Sequence, residues 1–263
     1  MLSLHDMEQK TGNMKARLAL MSFLQFAVWG AYLTSMGTYL SRVGLGAQIG
    51  YFYSMQGVVA LFMPALMGIV ADRWIPAQKL TSVCHLLSAL FMAGAGCYGM
   101  MAGQSVDFST LISLYAMAVA FYMPTLALTN SVAYTALDKV KLDPVKAFPP
   151  IRVFGTVGFI CSMLFVDVTG FQLSYMQYFV SAVLGLFMSV YALTLPDCPV
   201  NKLKEKKSLS EALGLRAFAL FKQRKMAVFF IFCVLLGVCL QITNGFANPY
   251  LNSFARIPEY ADA

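Results

Sequence analysis

The sequence predicts an all-α integral membrane protein of seven spans. Three observations carry that prediction. Of 263 residues, 59% are hydrophobic and 12% charged, against about 25% charged in soluble domains, and the mean hydropathy is +0.68. Seven apolar runs reach the roughly 20 residues that a helix rising about 1.5 Å per residue needs to cross ~30 Å of hydrocarbon. The basic residues, finally, concentrate in alternate connections between those runs.

In order, the spans run from Leu18 to Leu40, Ala47 to Val70, Leu80 to Met101, Phe108 to Ala136, Ile151 to Thr169, Leu173 to Leu195 and Met226 to Tyr250. The first is longer than a signal-peptide core and no small-residue cleavage site follows it, so it is expected to stay in the protein. Lys10, Lys15 and Arg17 precede span 1. Arg73 and Lys79 join spans 2 and 3, and Lys139, Lys141 and Lys146 join spans 4 and 5. The connection from Pro196 to Lys225 adds a fourth basic cluster. Arg42 and Arg256 alone fall on the other side, with Arg152 in or near the membrane. The positive-inside rule then predicts a cytoplasmic N-terminus and an outward C-terminus.

The connection between spans 6 and 7 carries a capping-box pattern, Ser208-x-x-Glu211, ahead of Leu209, Leu213, Ala217, Leu220 and Phe221 on one helical face. A short amphipathic helix at the cytoplasmic surface is expected there. The predicted organisation is thus a six-helix half over residues 1–195, a linker over 196–225, and over 226–263 the first helix of a second half with an outer tail. Because six spans, a basic linker and one more span fit a six-plus-six transporter better than an N-out seven-helix receptor, the chain reads as a fragment of such a transporter.

Composition also excludes function classes. A net charge of +7 is scattered through short loops rather than gathered on one face, which argues against nucleic acid. Six cysteines show no C-x-x-C spacing and sit mostly inside apolar runs, as packing residues rather than a disulfide frame or metal site. No nucleophile with a base, phosphate loop or metal cluster is present, so the chain is read as a non-enzyme without cofactors.

The residue that most needs explanation is Arg152, in Phe148-Pro149-Pro150-Ile151-Arg152 at the head of span 5. A guanidinium in a hydrocarbon-length helix costs several kcal/mol unless it faces protein, water or a ligand. Arg152, Thr156 and Phe159 stand at i, i+4 and i+7, aligning a cation, a hydroxyl and a ring on one face. On sequence physics alone two uses suit Arg152: contact with a polar solute, or snorkelling to lipid headgroups from a position just after the proline pair. Gln241 and Asn244 share a face of span 7 at i, i+3 and offer donors and acceptors. Gln25, Trp29, Asn130 and Tyr134 are possible cavity-lining groups, with helix–helix hydrogen bonding the competing use. His85 in span 3 is read as packed and hydrogen-bonded. No carboxylate lies at mid-depth: Asp167 is near the outer end of span 5 and Asp72 is in a loop.

Between spans 2 and 3, Gly68-x-x-x-Asp72-Arg73 followed by a turn and Lys79 resembles the cytoplasmic signature of the major facilitator superfamily, with Pro76 where a second turn glycine is usual. The segments around Gln25 and Trp29, Phe62 to Asp72, Tyr122 to Leu126, Phe148 to Arg152, and Leu240-Gln241-Ile242-Thr243-Asn244 are similar to the bacterial nucleoside:proton symporter family. The resemblance covers nearly the whole chain. It implies a multi-pass inner-membrane transporter, monomeric and surrounded by lipid, that takes up nucleosides on the proton gradient. It assigns nucleoside contact to Arg152, Thr156, Phe159, Gln241 and Asn244, and a conformational role to Gly68, Asp72, Arg73 and Lys79. Some members carry an acid where Cys239 stands. A facilitator for a sugar or other polar solute, and a non-transporting receptor or scaffold, are the alternative classes.

Overall fold

The computed structural model describes residues 4–200 and 220–254, with side chains described from residue 11 onward. Among them are eight α-helices: α1 (Leu4–Gly30), α2 (Met36–Arg42), α3 (Ile49–Arg73), α4 (Ala77–Ala102), α5 (Phe108–Lys139), α6 (Pro144–Val168), α7 (Met176–Leu193) and α8 (Arg224–Phe254). Six of them, α3 to α8, are long and apolar enough to cross a membrane. The amphipathic helix expected from Ser208 to Phe221 lies outside the described residues.

The first expected span is not one helix. Its run is divided at Gly30, and α1 and α2 are joined by a turn over residues 31–35. Backbone bonds from Ala31 to Ala27, Leu33 to Trp29 and Met36 to Tyr32 carry the helical rise through the turn, so the break is a bend. Its physical cause comes from another helix: the Tyr53 hydroxyl of α3 donates to the Leu33 carbonyl, and the Gly37 N–H faces the Tyr53 hydroxyl oxygen. A side chain inserted between a carbonyl and the amide four residues on is a standard cause of helix kinks.

Span 5 also starts earlier than Ile151. Asp143 caps α6 by accepting from the Val145 N–H at 3.0 Å, and Pro144 takes the first helical position, where a missing N–H costs nothing. Pro149 and Pro150 lie inside the helix rather than before it. Arg152 therefore stands in the third turn of α6, deeper than a residue at a helix entrance.

α1 packs against α6 and α7, α3 against α5, and α4 against α5 and α7. α8 meets the bundle mainly through α2 and α3, so most of its surface is open. The core has two layers. Toward the α1–α2 bend it is aromatic: Tyr32 meets Tyr115 edge-on at 6.0 Å, Tyr39 meets Tyr178 at 5.7 Å, and Phe52 leans on Tyr115 at 5.4 Å. Toward the start of α1 it is built of Leu18, Met21, Leu80, Val132, Ala136 and Met188. Bulky apolar residues such as Leu61, Phe62 and Leu66 of α3 and Phe154, Val157 and Phe165 of α6 point outward, the arrangement expected where the solvent is hydrocarbon.

Candidate functional site

The α1–α6 crossing positions the site. A Cβ at Gly158 would overlap the Phe23 carbonyl oxygen, and one at Gly30 would overlap that of Phe159. Such glycines let two backbones approach closely, the usual device where no hydrophobic drive brings helices together in lipid. The close approach lays the Phe26-to-Trp29 turn of α1 under the Arg152-to-Phe159 face of α6.

Arg152 is half-buried, with its Cζ 3.6 Å from the centroid of the Phe26 ring. Stacking on an aromatic face stabilises a guanidinium by about 0.5–2 kcal/mol, more as water is excluded. None of its N–H groups meets an acceptor among the described residues, and Tyr122 lies within electrostatic reach. Phe159, also half-buried, stands edge-on to Trp29 at 6.4 Å and 88°, and Trp29 meets Tyr122 at 6.1 Å. The Trp29 indole N–H is buried without a partner among the described residues. Thr156, one turn after Arg152, is exposed while its two companions lean on α1.

Gln25 is fully buried and donates from Nε2 to Thr125 Oγ1 at 2.7 Å, while its backbone carbonyl accepts from the Tyr122 hydroxyl at 2.6 Å. It joins α1 to α5, as helix–helix hydrogen bonding requires, and only its Oε1 has no partner among the described residues. Asn130 and Tyr134 are exposed on α5, and the Tyr134 ring meets Phe148 of α6 edge-on at 4.9 Å. His85 is fully buried, with Nδ1 2.9 Å from the Thr81 carbonyl and its ring against Tyr122.

Gln241 and Asn244 are half-buried on the α8 face that meets α3. Gln241 Nε2 donates to the Tyr53 carbonyl at 3.3 Å, and the Tyr53 hydroxyl lies 3.3 Å from the Asn244 carbonyl. Four of the five expected contacts thus form two groups, Arg152 with Phe159 on α6 and Gln241 with Asn244 on α8. No direct contact joins them among the described residues. What lies between is one stretch of the first span: Trp29 touches the first group, and four residues on Leu33 meets the Tyr53 that holds the second.

Asp72, Arg73 and Lys79 are exposed around the α3–α4 turn, and a Cβ at Gly68 would meet nothing within 4 Å. The anchoring at this end is done by residues outside the signature motif. Gln78 Nε2 donates to Asp197 Oδ1 at 2.9 Å, Gln78 Oε1 accepts from the Cys198 N–H at 2.9 Å, and Lys139 donates to the Asp197 carbonyl. On α8, Asn248 and Asn252 continue the polar stripe beyond Asn244. Asn248 donates to Gln172 Oε1 at 3.0 Å and Asn252 to Thr38 Oγ1 at 3.4 Å. Polar side chains at that spacing in an apolar helix were a readable signal.

Residues 12–261 match the family model described as Nucleoside H+ symporter. The chain is 46% identical over 251 residues to the xanthosine permease of Escherichia coli K12, covering 94% of this chain and 58% of that protein. It is 45% identical over 256 residues to the nucleoside permease NupG of the same organism, covering 95% and 59%. Among solved structures, crystal structures of the nucleoside transporter NupG and of a point mutant superpose with TM-scores of 0.79 and 0.83, each at 43% identity and covering 95% of this chain and 61% of theirs. The chain therefore spans about three fifths of the length of these relatives.

Proposed function

The chain belongs to the nucleoside H+ symporter family, a family of multi-pass membrane transporters rather than enzymes, and on that premise we propose that it forms part of a proton-coupled nucleoside importer. Arg152, Thr156, Phe159, Gln241 and Asn244 are its nucleoside contacts. The observation that carries this reading is Arg152 itself, a cation in the third turn of an apolar helix, held by stacking on Phe26 with no acceptor for its N–H groups among the described residues. A nucleoside supplies what that arrangement lacks, carbonyl and hydroxyl acceptors for the guanidinium beside a flat base for Phe159.

Residues 1–195 act as one six-helix half, 196–225 as a linker, and 226–263 as the start of a second half. Transport proceeds by rocking the halves about a site between α6 and α8. The N-terminus faces the cytoplasm of a bacterial inner membrane. In favour of this orientation, Arg17, Arg73, Lys79 and Lys139 all lie at the end of the bundle where α1 enters, as the positive-inside rule requires. The driving force is the proton gradient, with no cofactor. The protein works as a monomer in lipid.

The test is uptake of labelled uridine by vesicles holding the product of the complete reading frame, with and without an inward proton gradient. Accumulation that rises with the gradient and is competed by nucleosides is expected. Competition by sugars alone, or binding without accumulation, would refute the proposal.

A further inference from the structure

Tyr53 belongs to none of the motifs read from the sequence, yet it meets Gln241, Asn244 and Gly245 of α8. It is 4% exposed. Its hydroxyl donates to the Leu33 carbonyl in the α1–α2 bend and lies 3.3 Å from the Asn244 carbonyl. Its own carbonyl accepts from Gln241 Nε2 at 3.3 Å. Its ring fills the space beside Gly245, where an added Cβ would sit 3.0 Å from Cδ2.

These contacts fix more than packing. A backbone carbonyl can only accept, so the group facing it on Gln241 must be the amide nitrogen, and Oε1 is the end without a partner among the described residues. A phenol has one proton, and here it lies between the Leu33 carbonyl of the bend and the Asn244 carbonyl of α8. The hydroxyl therefore sets the register of α8 against the bend of the first span, the same stretch whose Trp29 holds Phe159.

We propose that Tyr53 is a positioning residue for the nucleoside site, fixing the axial register of Asn244 and turning the Gln241 acceptor toward a ligand hydroxyl or N–H. The inference rests on reading Gln241 and Asn244 as nucleoside contacts. It specifies that the ligand is recognised at Gln241 through one of its donors.

The experiment measures uridine Kd by equilibrium binding, and KM and kcat by vesicle uptake, for the product of the complete reading frame and for Tyr53→Phe, Asn244→Ala and the double variant. Tyr53→Phe keeps the ring and removes one hydrogen bond. Kd and KM are expected to rise about 3- to 10-fold with kcat per inserted molecule held within about twofold. In the Asn244→Ala background the effect of the hydroxyl on Kd should shrink, because one of the two side chains whose register it sets is gone while Gln241 remains. A hydroxyl that only stabilises the fold would lower the inserted amount and leave KM alone, and that result overturns the proposal, as does a fully additive double variant. Should Tyr53→Phe not insert, Gly245→Ala presses on the same ring with the hydroxyl retained and is expected to raise KM likewise; an unchanged KM there overturns the proposal. Parent protein that binds no uridine fells the site reading and this inference together. Parent binding with an unaltered Kd in Tyr53→Phe fells the role of Tyr53 alone.

Discussion

The guanidinium carbon of Arg152 stands 3.6 Å above the ring centroid of Phe26, one helix away. That contact explains how an apolar helix keeps a cation without a carboxylate beside it: the ring face replaces part of the lost hydration and leaves the N–H edge of the guanidinium free. A lysine cannot reproduce the arrangement, since its compact ammonium has neither the plane nor the fork.

Arg152→Lys should therefore keep the charge and lose most of the function. Uridine uptake at subsaturating concentration is expected to fall by about tenfold or more, from the stacking and bidentate contacts together. Phe26→Leu should cause a smaller fall, about 3- to 10-fold, through loss of the stack alone. Initial rates in vesicles normalised to inserted protein check both, and parent-like uptake in Arg152→Lys would refute the stacking argument.

Gly158→Ala tests the α1–α6 crossing. An added methyl would overlap the Phe23 carbonyl oxygen, which is backbone and has no rotamer to escape into. The helices must separate, at a cost of about 1–3 kcal/mol. A lower Tm in detergent, with reduced uridine affinity because Arg152 and Phe159 move with α6, is the expected outcome.

Gln78→Ala should weaken the end of the bundle where α1 enters, without touching the site. Gln78 is buried and satisfies both Asp197 and the Cys198 N–H. Leaving those groups unpaired costs about 1–3 kcal/mol. Thermal unfolding followed by thiol labelling of Cys198 checks this, with earlier labelling expected in the variant.

Asp107 supplies a pH-dependent contribution outside the membrane segments. Its carboxylate caps α5, accepting from the Thr110 N–H at 2.8 Å and from the Thr110 hydroxyl at 3.0 Å. These bonds hold the Asp107 carboxyl below its ordinary value. With the folded value depressed, the contribution is present above the ordinary aspartate range and lost as pH falls through the folded value. Asp107→Asn still offers an acceptor but does not titrate there. The drop in Tm between about pH 5 and pH 3 should be shallower in that variant, and an identical slope would contradict the cap assignment.

Hydropathy made the later spans legible because a helix in lipid must satisfy its own backbone, so length and apolarity suffice to find it. The bend in the first span was not legible, since it depends on a hydroxyl from α3 that is distant in sequence. The early start of α6 was legible and misread: Asp143-Pro144 is a cap followed by a first-turn proline, yet Pro149-Pro150 drew the boundary. Arg152 and Phe159 could be singled out from charge and spacing. Their partners Phe26 and Trp29 follow only from the glycine crossing of α1 and α6, a tertiary fact. On α8 the polar stripe past Asn244 was readable by period, whereas Tyr53 carries no charge or motif and is visible only through its contacts.

Equilibrium binding of labelled uridine to the purified product of the complete reading frame, parent against Arg152→Ala, tests the central claim most directly. Saturable binding competed by other nucleosides and not by sugars, and lost in Arg152→Ala while its Tm stays close to the parent's, is the result expected. Equal affinity in the two proteins would show that the cation stacked on Phe26 is not where a nucleoside binds.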